Sequence, residues 1–379
     1  MTTPSYTRNP RIDFLKGISI LLVLISHFSL FYSFLPEKEF FLYKIAVNGY
    51  YGVMVFFVIS GFLITSLALE RYQNLGQFDL KSFYIFRFSR IFPPLLLAIG
   101  VICYFYGFGI SGFENQPLTN GKTSVSFPLA ILSILTFWFN EVVATGHVHN
   151  GVLTIFWSLS IEEVFYLAFP WVCLLLKKHK YIMMFCVALI LFGPLHRYYL
   201  GLNTSLLAKA SYFSCFDAIA MGCLTALIIK RVKWSQSWRT VIQTLAWLMG
   251  IAVYFSFRSG EFYVWGNSLI SLSTSLLLLC VSQASPSKNR LAAGIRWCGL
   301  HCYELYLFHL IVLTLLANCW GMYAAMPTYE KLMVLAVYLL SSFALARIIA
   351  KFYSVPLNKG LRSVLTGKLS SKKTFAISK

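Results

Sequence analysis

The sequence predicts an all-α, polytopic helical membrane protein with about ten transmembrane helices and both termini cytoplasmic. Three observations carry that prediction. The 379 residues are 58% hydrophobic and only 12% charged, where a soluble chain averages about 25% charged. The apolar residues fall into blocks of about twenty, the length a helix needs to cross a bilayer. Short connectors separate the blocks, and their basic residues sort consistently to one side.

In chain order, spans are expected over residues 12–34, 46–69, 88–108, 152–176, 181–199, 210–229, 240–257, 264–281, 300–320 and 332–350. An eleventh apolar segment, Phe127 to Asn140, is short and runs into a polar connector. If it does not span, 24 of the 32 Lys and Arg face the cytoplasm. Seven then face outward (Lys38, Lys44, Lys122, Arg197, Lys209, Arg258 and Lys331), and Arg347 lies within the last span. If it did span, the cluster Lys177, Lys178 and Lys180 would turn outward, against the positive-inside bias. Residues 109–151 are therefore an external excursion, with Phe127 to Asn140 re-entrant or interfacial. The chain divides into a transmembrane domain, residues 1–353, and a basic cytoplasmic tail, residues 354–379, near anionic lipid headgroups. The first apolar run is too long for a signal peptide and lacks a small-residue cleavage site.

Composition also excludes. The net charge of +19 is spread over many connectors, with no contiguous basic and aromatic surface, so nucleic acid is not an expected partner. The nine cysteines all lie in or beside apolar segments, which argues against a disulfide framework. Cys298, His301 and Cys302 fall short of four ligands at zinc spacing, as do His147 and His149. No metal is expected.

Ionisable side chains inside spans cost roughly 2.5 kcal/mol or more and tend to mark function. In KGISILLVLISH, Lys16 and His27 are eleven residues apart, almost three helical turns, on one face and about 16 Å apart. Lys16 belongs at the cytoplasmic mouth, within i,i+3 reach of Asp13, and His27 in the middle or outer half. In FRFSRIFPP, Arg87 and Arg90 share a side and can grip phosphate through charge-assisted forks. Pro93 and Pro94 free backbone carbonyls within the membrane, which points to a cavity above the arginines. In TIFWSLSIEEVFYLAFP, Glu162 and Glu163 sit near the midplane, and Ser158, Glu162 and Tyr166 follow i,i+4 spacing. Asp217, His309 and Arg347 complete the buried polar set. Each has a structural alternative: a histidine bonded to a neighbouring helix, a boundary arginine, or Asp217 or Glu304 neutralising an arginine. Gly52 and Gly61 in GVMVFFVISGFLIT suggest close helix contact.

Together these stretches resemble the acyltransferase family 3 membrane proteins, which move acyl groups, commonly acetyl, onto cell-envelope carbohydrates. IDFLKGISILLVLISH carries the family's basic residue, ten intervening residues and histidine, as Lys16 and His27. YGVMVFFVISGFLIT, FRFSRIFP and WSLSIEEVFYLAFP follow in the family's order, and FDAIAMG and ELYLFHLIV match weaker stretches. Near KFYSVP the family often carries a glutamate two residues before the proline, where this chain has Ser354. No soluble domain follows, which implies the stand-alone form.

The resemblance implies acetyl-CoA or another acyl-CoA as co-substrate, with Arg87 and Arg90 on its phosphates and Lys16 assisting. It implies an acceptor hydroxyl on an envelope carbohydrate such as O-antigen or exopolysaccharide, reached from a multi-pass protein of the bacterial inner membrane. His27 is expected as general base and Glu162 as its orienting carboxylate. Ser158, Glu163, Tyr166, Asp217 and His309 are expected as substrate-binding or supporting residues. Direct transfer and a covalent acyl-histidine relay both remain open. Two rival classes stand beside this reading: a transporter of polysaccharide or lipid-linked sugar, and a membrane acyltransferase acting on protein or lipid.

Overall fold

The computed structural model describes residues 9–32, 44–45, 47–72, 74–116, 124–148, 150–200, 210–256, 263–280, 289–320 and 326–367, and the regular structure among them is helical. Lys38, Lys122, His149, Lys209, Arg258 and the tail from residue 368 lie outside the described residues.

The first helix, α1 (Pro10–Tyr32), begins at a proline, whose fixed φ suits a first helical position. Asn9 precedes it and accepts the Arg11 amide at 3.0 Å. Next come α2 (Tyr50–Tyr72) and α3 (Leu80–Gly107). Asp79 caps α3 by accepting the Ser82 amide at 3.1 Å, and the Ser82 side chain and amide hold this carboxyl below the usual carboxylate range. The apolar segment between the third and fourth expected spans forms α4 (Phe127–Leu135) and α5 (Phe139–Ala144), too short to cross a bilayer that needs about twenty residues.

Asn150 organises the return to the bundle. Its Oδ1 accepts the Val152 and Leu153 amides at 3.1 and 2.9 Å. Its Nδ2 donates to the Phe113 carbonyl at 3.1 Å. A short 3-10 turn then feeds α6 (Phe156–Leu176). The remaining helices are α7 (His179–Tyr199), α8 (Phe216–Ile228), α9 (Gln236–Ser256), α10 (Tyr263–Cys280), α11 (Arg290–Leu300), α12 (Cys302–Trp320) and α13 (Thr328–Ile349). A π-helical turn, Ala350–Ser354, joins α13 to α14 (Val355–Leu365).

Ten of these helices fall on the ten expected spans. Among the described residues, seven helical stretches are long and apolar enough to cross a membrane. Of the other three, α8 and the apolar part of α10 are shorter, and α9 opens on the polar run QSWRT. The outer faces of α7 and α9 expose large apolar side chains such as Leu191, Leu195, Leu245 and Leu248, as lipid-facing surfaces do.

Two departures from expectation concern connectors. The basic segment around residues 290–300 is a helix, α11, laid against the start of α1. A Cβ at Gly299 or Gly17 would collide with the backbone of Asp13 or Ile295 respectively, so two missing side chains allow the approach. The tail likewise begins as helix α14, packed on α3. The same small-residue logic joins α2 to α8: Gly61 faces the Ile219 carbonyl, and Gly222 faces the Val58 carbonyl.

Arg197, expected on the outer side of the membrane, lies at the end of α7 and is fully buried. Its guanidinium forks onto Asp217 of α8, with N···O distances of 3.1 and 2.8 Å. Nε donates to the Val264 carbonyl at 3.1 Å, and the other two N–H groups go to the Ser214 carbonyl and to Ser268. All five donors are thereby used. Gly193 leaves the room that the Asp217 side chain occupies. This network pins α7, α8 and α10 together. Asp217→Asn should destabilise the protein by about 3 kcal/mol or more, because it leaves a buried guanidinium uncompensated. Chemical unfolding in detergent checks this; an unchanged midpoint would show that the pair is not what holds the three helices.

Candidate active site

A cavity of about 490 Å³ opens at the end of the bundle that carries Arg71, Arg87, Arg90 and Arg362. Its walls come from six helices: α1 through Lys16, α2 through Ser60, α3 through the arginines, α6 through Glu162, α12 through Tyr306 and α14 through Arg362. The two prolines of α3 lie on its buried face, and the Tyr303 hydroxyl donates to the nearby Ile91 carbonyl at 2.8 Å.

The charged groups are layered. Arg71 at the end of α2 and Arg362 of α14 both lie over the Phe86 ring, at 4.4 and 4.1 Å from its centroid. Arg87 lies over Tyr166 at 3.6 Å, close enough for a cation–π contact. Behind Arg87, the hydroxyls of Tyr166 and Ser60 both donate to Glu162 Oε1 and stand 2.6 Å from each other. Glu163 is buried against the same cavity, and its Oε1 has no hydrogen-bond partner among the described residues. At the inner end Tyr306 donates to the Ile155 carbonyl at 3.0 Å, and its oxygen lies 2.6 Å from Ser158 Oγ.

One helical turn beyond Tyr306 stands His309, fully buried, its ring centroid 6.0 Å from that of Tyr306. His309 Nδ1 faces two acceptors, the Leu305 carbonyl at 3.0 Å and the Tyr306 carbonyl at 2.9 Å. Facing only acceptors, Nδ1 carries a hydrogen. In the neutral ring Nε2 is then an acceptor. That nitrogen lies 3.1 Å from Nδ1 of His27, so His27 donates from Nδ1 and keeps its lone pair on Nε2. His27 also has a backbone hydrogen bond to Val23, and with Nδ1 donating to His309 it is Nε2 that is left available as a base.

The expected residues thus separate into three places. Lys16, Arg87, Arg90, Ser158, Glu162, Glu163 and Tyr166 share the cavity wall. His27 and His309 form a pair just past its inner end. Asp217 is engaged with Arg197 instead. Glu162, expected to orient His27, takes Ser60 and Tyr166 as partners, and the side chain found at Nδ1 of His27 is His309. Ser60, Arg71, Tyr303, Tyr306, Asn358 and Arg362 were not read from sequence as site residues. For Tyr303 and Tyr306 the signal was present, since both continue the i,i+3 face that ends at His309. Ser354, where the family often has glutamate, is buried on the π-helical turn, and its hydroxyl lacks a partner among the described residues. Among these residues no three His, Cys, Asp or Glu side chains gather as a metal site.

The family model described as "Acyltransferase domain" matches residues 9–351. A Listeria monocytogenes protein named "Peptidoglycan O-acetyltransferase OatA" is 24% identical over 339 residues, covering 83% of this chain and 51% of its own. A Staphylococcus aureus protein named "Putative O-acetyltransferase SACOL0978" is 25% identical over 334 residues, covering 80% of this chain and 50% of its own. The chain therefore spans about half the length of the curated relatives it matches. No solved structure gives a significant match.

The hydrogen-bond chain makes a direct spectroscopic prediction. In 15N-histidine spectra at pH 8, the His27 signals, assigned by their loss in His27→Gln, should show protonated Nδ1 and unprotonated Nε2. The reverse tautomer would mean that His309 does not set the state of His27.

Proposed function

Because the chain belongs to the acyltransferase family whose model covers residues 9–351, we propose that it is an integral membrane O-acyltransferase. It carries an acyl group, in the first instance acetyl, from cytoplasmic acyl-CoA to a hydroxyl of a cell-envelope carbohydrate. O-antigen and exopolysaccharide are acceptors to test, and the name of the Listeria relative adds peptidoglycan. A cytoplasmic donor and the positive-inside bias support the bacterial plasma membrane as its location.

One observation carries this reading: the cavity leads from a mouth of arginines to the turn before the paired histidines. Coenzyme A is a polyanionic head on a long thin arm. Arg87 and Arg90, with Lys16, hold the phosphates by charge-assisted hydrogen bonds. The arm runs past Glu162 and Tyr166, whose polar atoms can meet its amides, and brings the thioester to the histidine pair. His27 Nε2 takes the proton of the acceptor hydroxyl as the oxygen attacks the thioester carbonyl. The new C–O bond forms, the C–S bond breaks, and the proton passes from His27 to the departing thiolate. His309 holds His27 in the required tautomer throughout, the role that a neighbouring carboxylate plays in a hydrolase triad. Glu162 shapes the donor channel.

Envelope-carbohydrate O-acetylation in cells, together with coenzyme A release by purified protein, tests the reading. At matched membrane levels His27→Ala should lower both by at least roughly 10²-fold. His309→Leu should lower kcat by roughly 10–100-fold with KM little moved, and His309→Gln, which keeps an acceptor for His27, should retain more. Near-normal acetylation by His27→Ala would exclude His27 as the base. Carbohydrate export by the wild type without consumption of acyl-CoA would assign the chain to the transporter class.

A further inference from the structure

Helix α14 has a proline, Pro356, in its first turn and places Asn358 and Arg362 four residues apart on one face. That face meets α3: Ser89 Oγ donates to Asn358 Oδ1 at 3.1 Å, and Arg362 stacks on Phe86. Arg71 reaches the same ring from α2. Asn358, Arg362 and Arg71 all line the cavity mouth. The positive charges of Arg71 and Arg90 act directly on Arg362. Among the described residues no carboxylate forms an ion pair with any of these three, and Asp79 acts on Arg71 only at longer range. Three like charges are thus held around one opening by packing and by the face of an aromatic ring. Such a cluster gains stability when an anion enters it.

The cations stand at two levels. Arg87 is turned inward, over Tyr166 and toward Glu162, whereas Arg71 and Arg362 flank Phe86 at the opening. Coenzyme A also carries phosphate at two levels. Its diphosphate joins directly to the arm, and its ribose 3′-phosphate lies at the far end. With the arm pointing inward, the diphosphate meets Arg87 and Arg90, and the 3′-phosphate is left at the mouth. Resting on the acyl-CoA reading above, we propose that Arg362 of α14, together with Arg71, binds the ribose 3′-phosphate of the donor. This makes the site selective for a 3′-phosphorylated carrier. Arginine suits the task because its planar fork matches phosphate oxygens.

The test is binding of acetyl-CoA and of acetyl-3′-dephospho-CoA to the full chain in nanodiscs. The wild type should prefer acetyl-CoA by about tenfold, the loss expected when a charged hydrogen-bond partner is removed. Arg362→Gln should weaken acetyl-CoA by the same factor and leave acetyl-3′-dephospho-CoA unchanged. Arg362→Lys should fall between, and Arg71→Gln, on a different helix, should repeat the selective loss. Arg362 is exposed, so the variant should melt with the wild type. Equal weakening of both ligands, or of neither, overturns the assignment while leaving the donor reading in place. A wild type that binds neither ligand removes the donor reading and this inference with it.

Discussion

A side chain that keeps its charge or hydrogen-bonding groups inside hydrocarbon must find partners within the protein, and this bundle is arranged around that requirement. The chain meets it in two ways. Around Arg197 every donor is matched, the carboxylate of Asp217 is supplied by a neighbouring helix, and the network is sealed from solvent. Such a closed network holds helices together but offers nothing to a ligand. Around the cavity the polar groups are gathered yet incompletely matched. The arginines at the mouth rest on aromatic rings, and Glu163 keeps an oxygen without a partner among the described residues. The contrast separates charges that build the fold from charges that wait for something else.

Much of the architecture was legible because hydrocarbon imposes a length and a polarity on each span. The ten expected positions are occupied by ten helices, and the short apolar segment resolves into α4 and α5, neither long enough to cross. What escaped notice was helix hidden in basic connectors. Arg290 and Arg296 read as positive-inside signals, and that role says nothing about backbone conformation. The contact of α11 with α1 depends on Gly17 and Gly299 meeting backbone, a pairing across almost the whole chain. Charges dominate the composition of the tail and point to lipid headgroups, a composition that hides the face formed by Asn358 and Arg362 at i,i+4 spacing.

The site was legible as a set of residues but not as a set of pairs. Burial cost singles out His27, Glu162, Glu163 and His309 one at a time, since each is expensive where it sits. It does not say which touches which. His27 and His309 are 282 positions apart, and only the packing of α12 against α1 brings them together. Ser60 passed unnoticed in a stretch that is otherwise apolar, yet its hydroxyl meets Glu162 and so helps draw that carboxylate toward α2. A carboxylate and a histidine of similar depth suggest a dyad by analogy with hydrolases. Here the carboxylate has nearer donors, and a second imidazole, oriented by two backbone carbonyls, stands beside the first.

The order of charge along the cavity has a consequence for the proposed reaction. Cations come first, the carboxylates Glu162 and Glu163 follow, and the inner end is formed by tyrosines and the histidine pair. A polyanionic head entering at the mouth is attracted by the arginines and repelled by an ionised Glu162 behind them. The uncharged arm that follows the same path is subject to neither force and can continue to Tyr306. In the proposed reaction Glu162 would thereby set how deep the head can travel, and a fixed depth for the head gives a fixed position for a thioester at the end of an arm of constant length. On this account Glu162 contributes to the reaction without contacting His27. It would stop the proposed donor at the depth where the carbonyl carbon comes within reach of a hydroxyl held by His27.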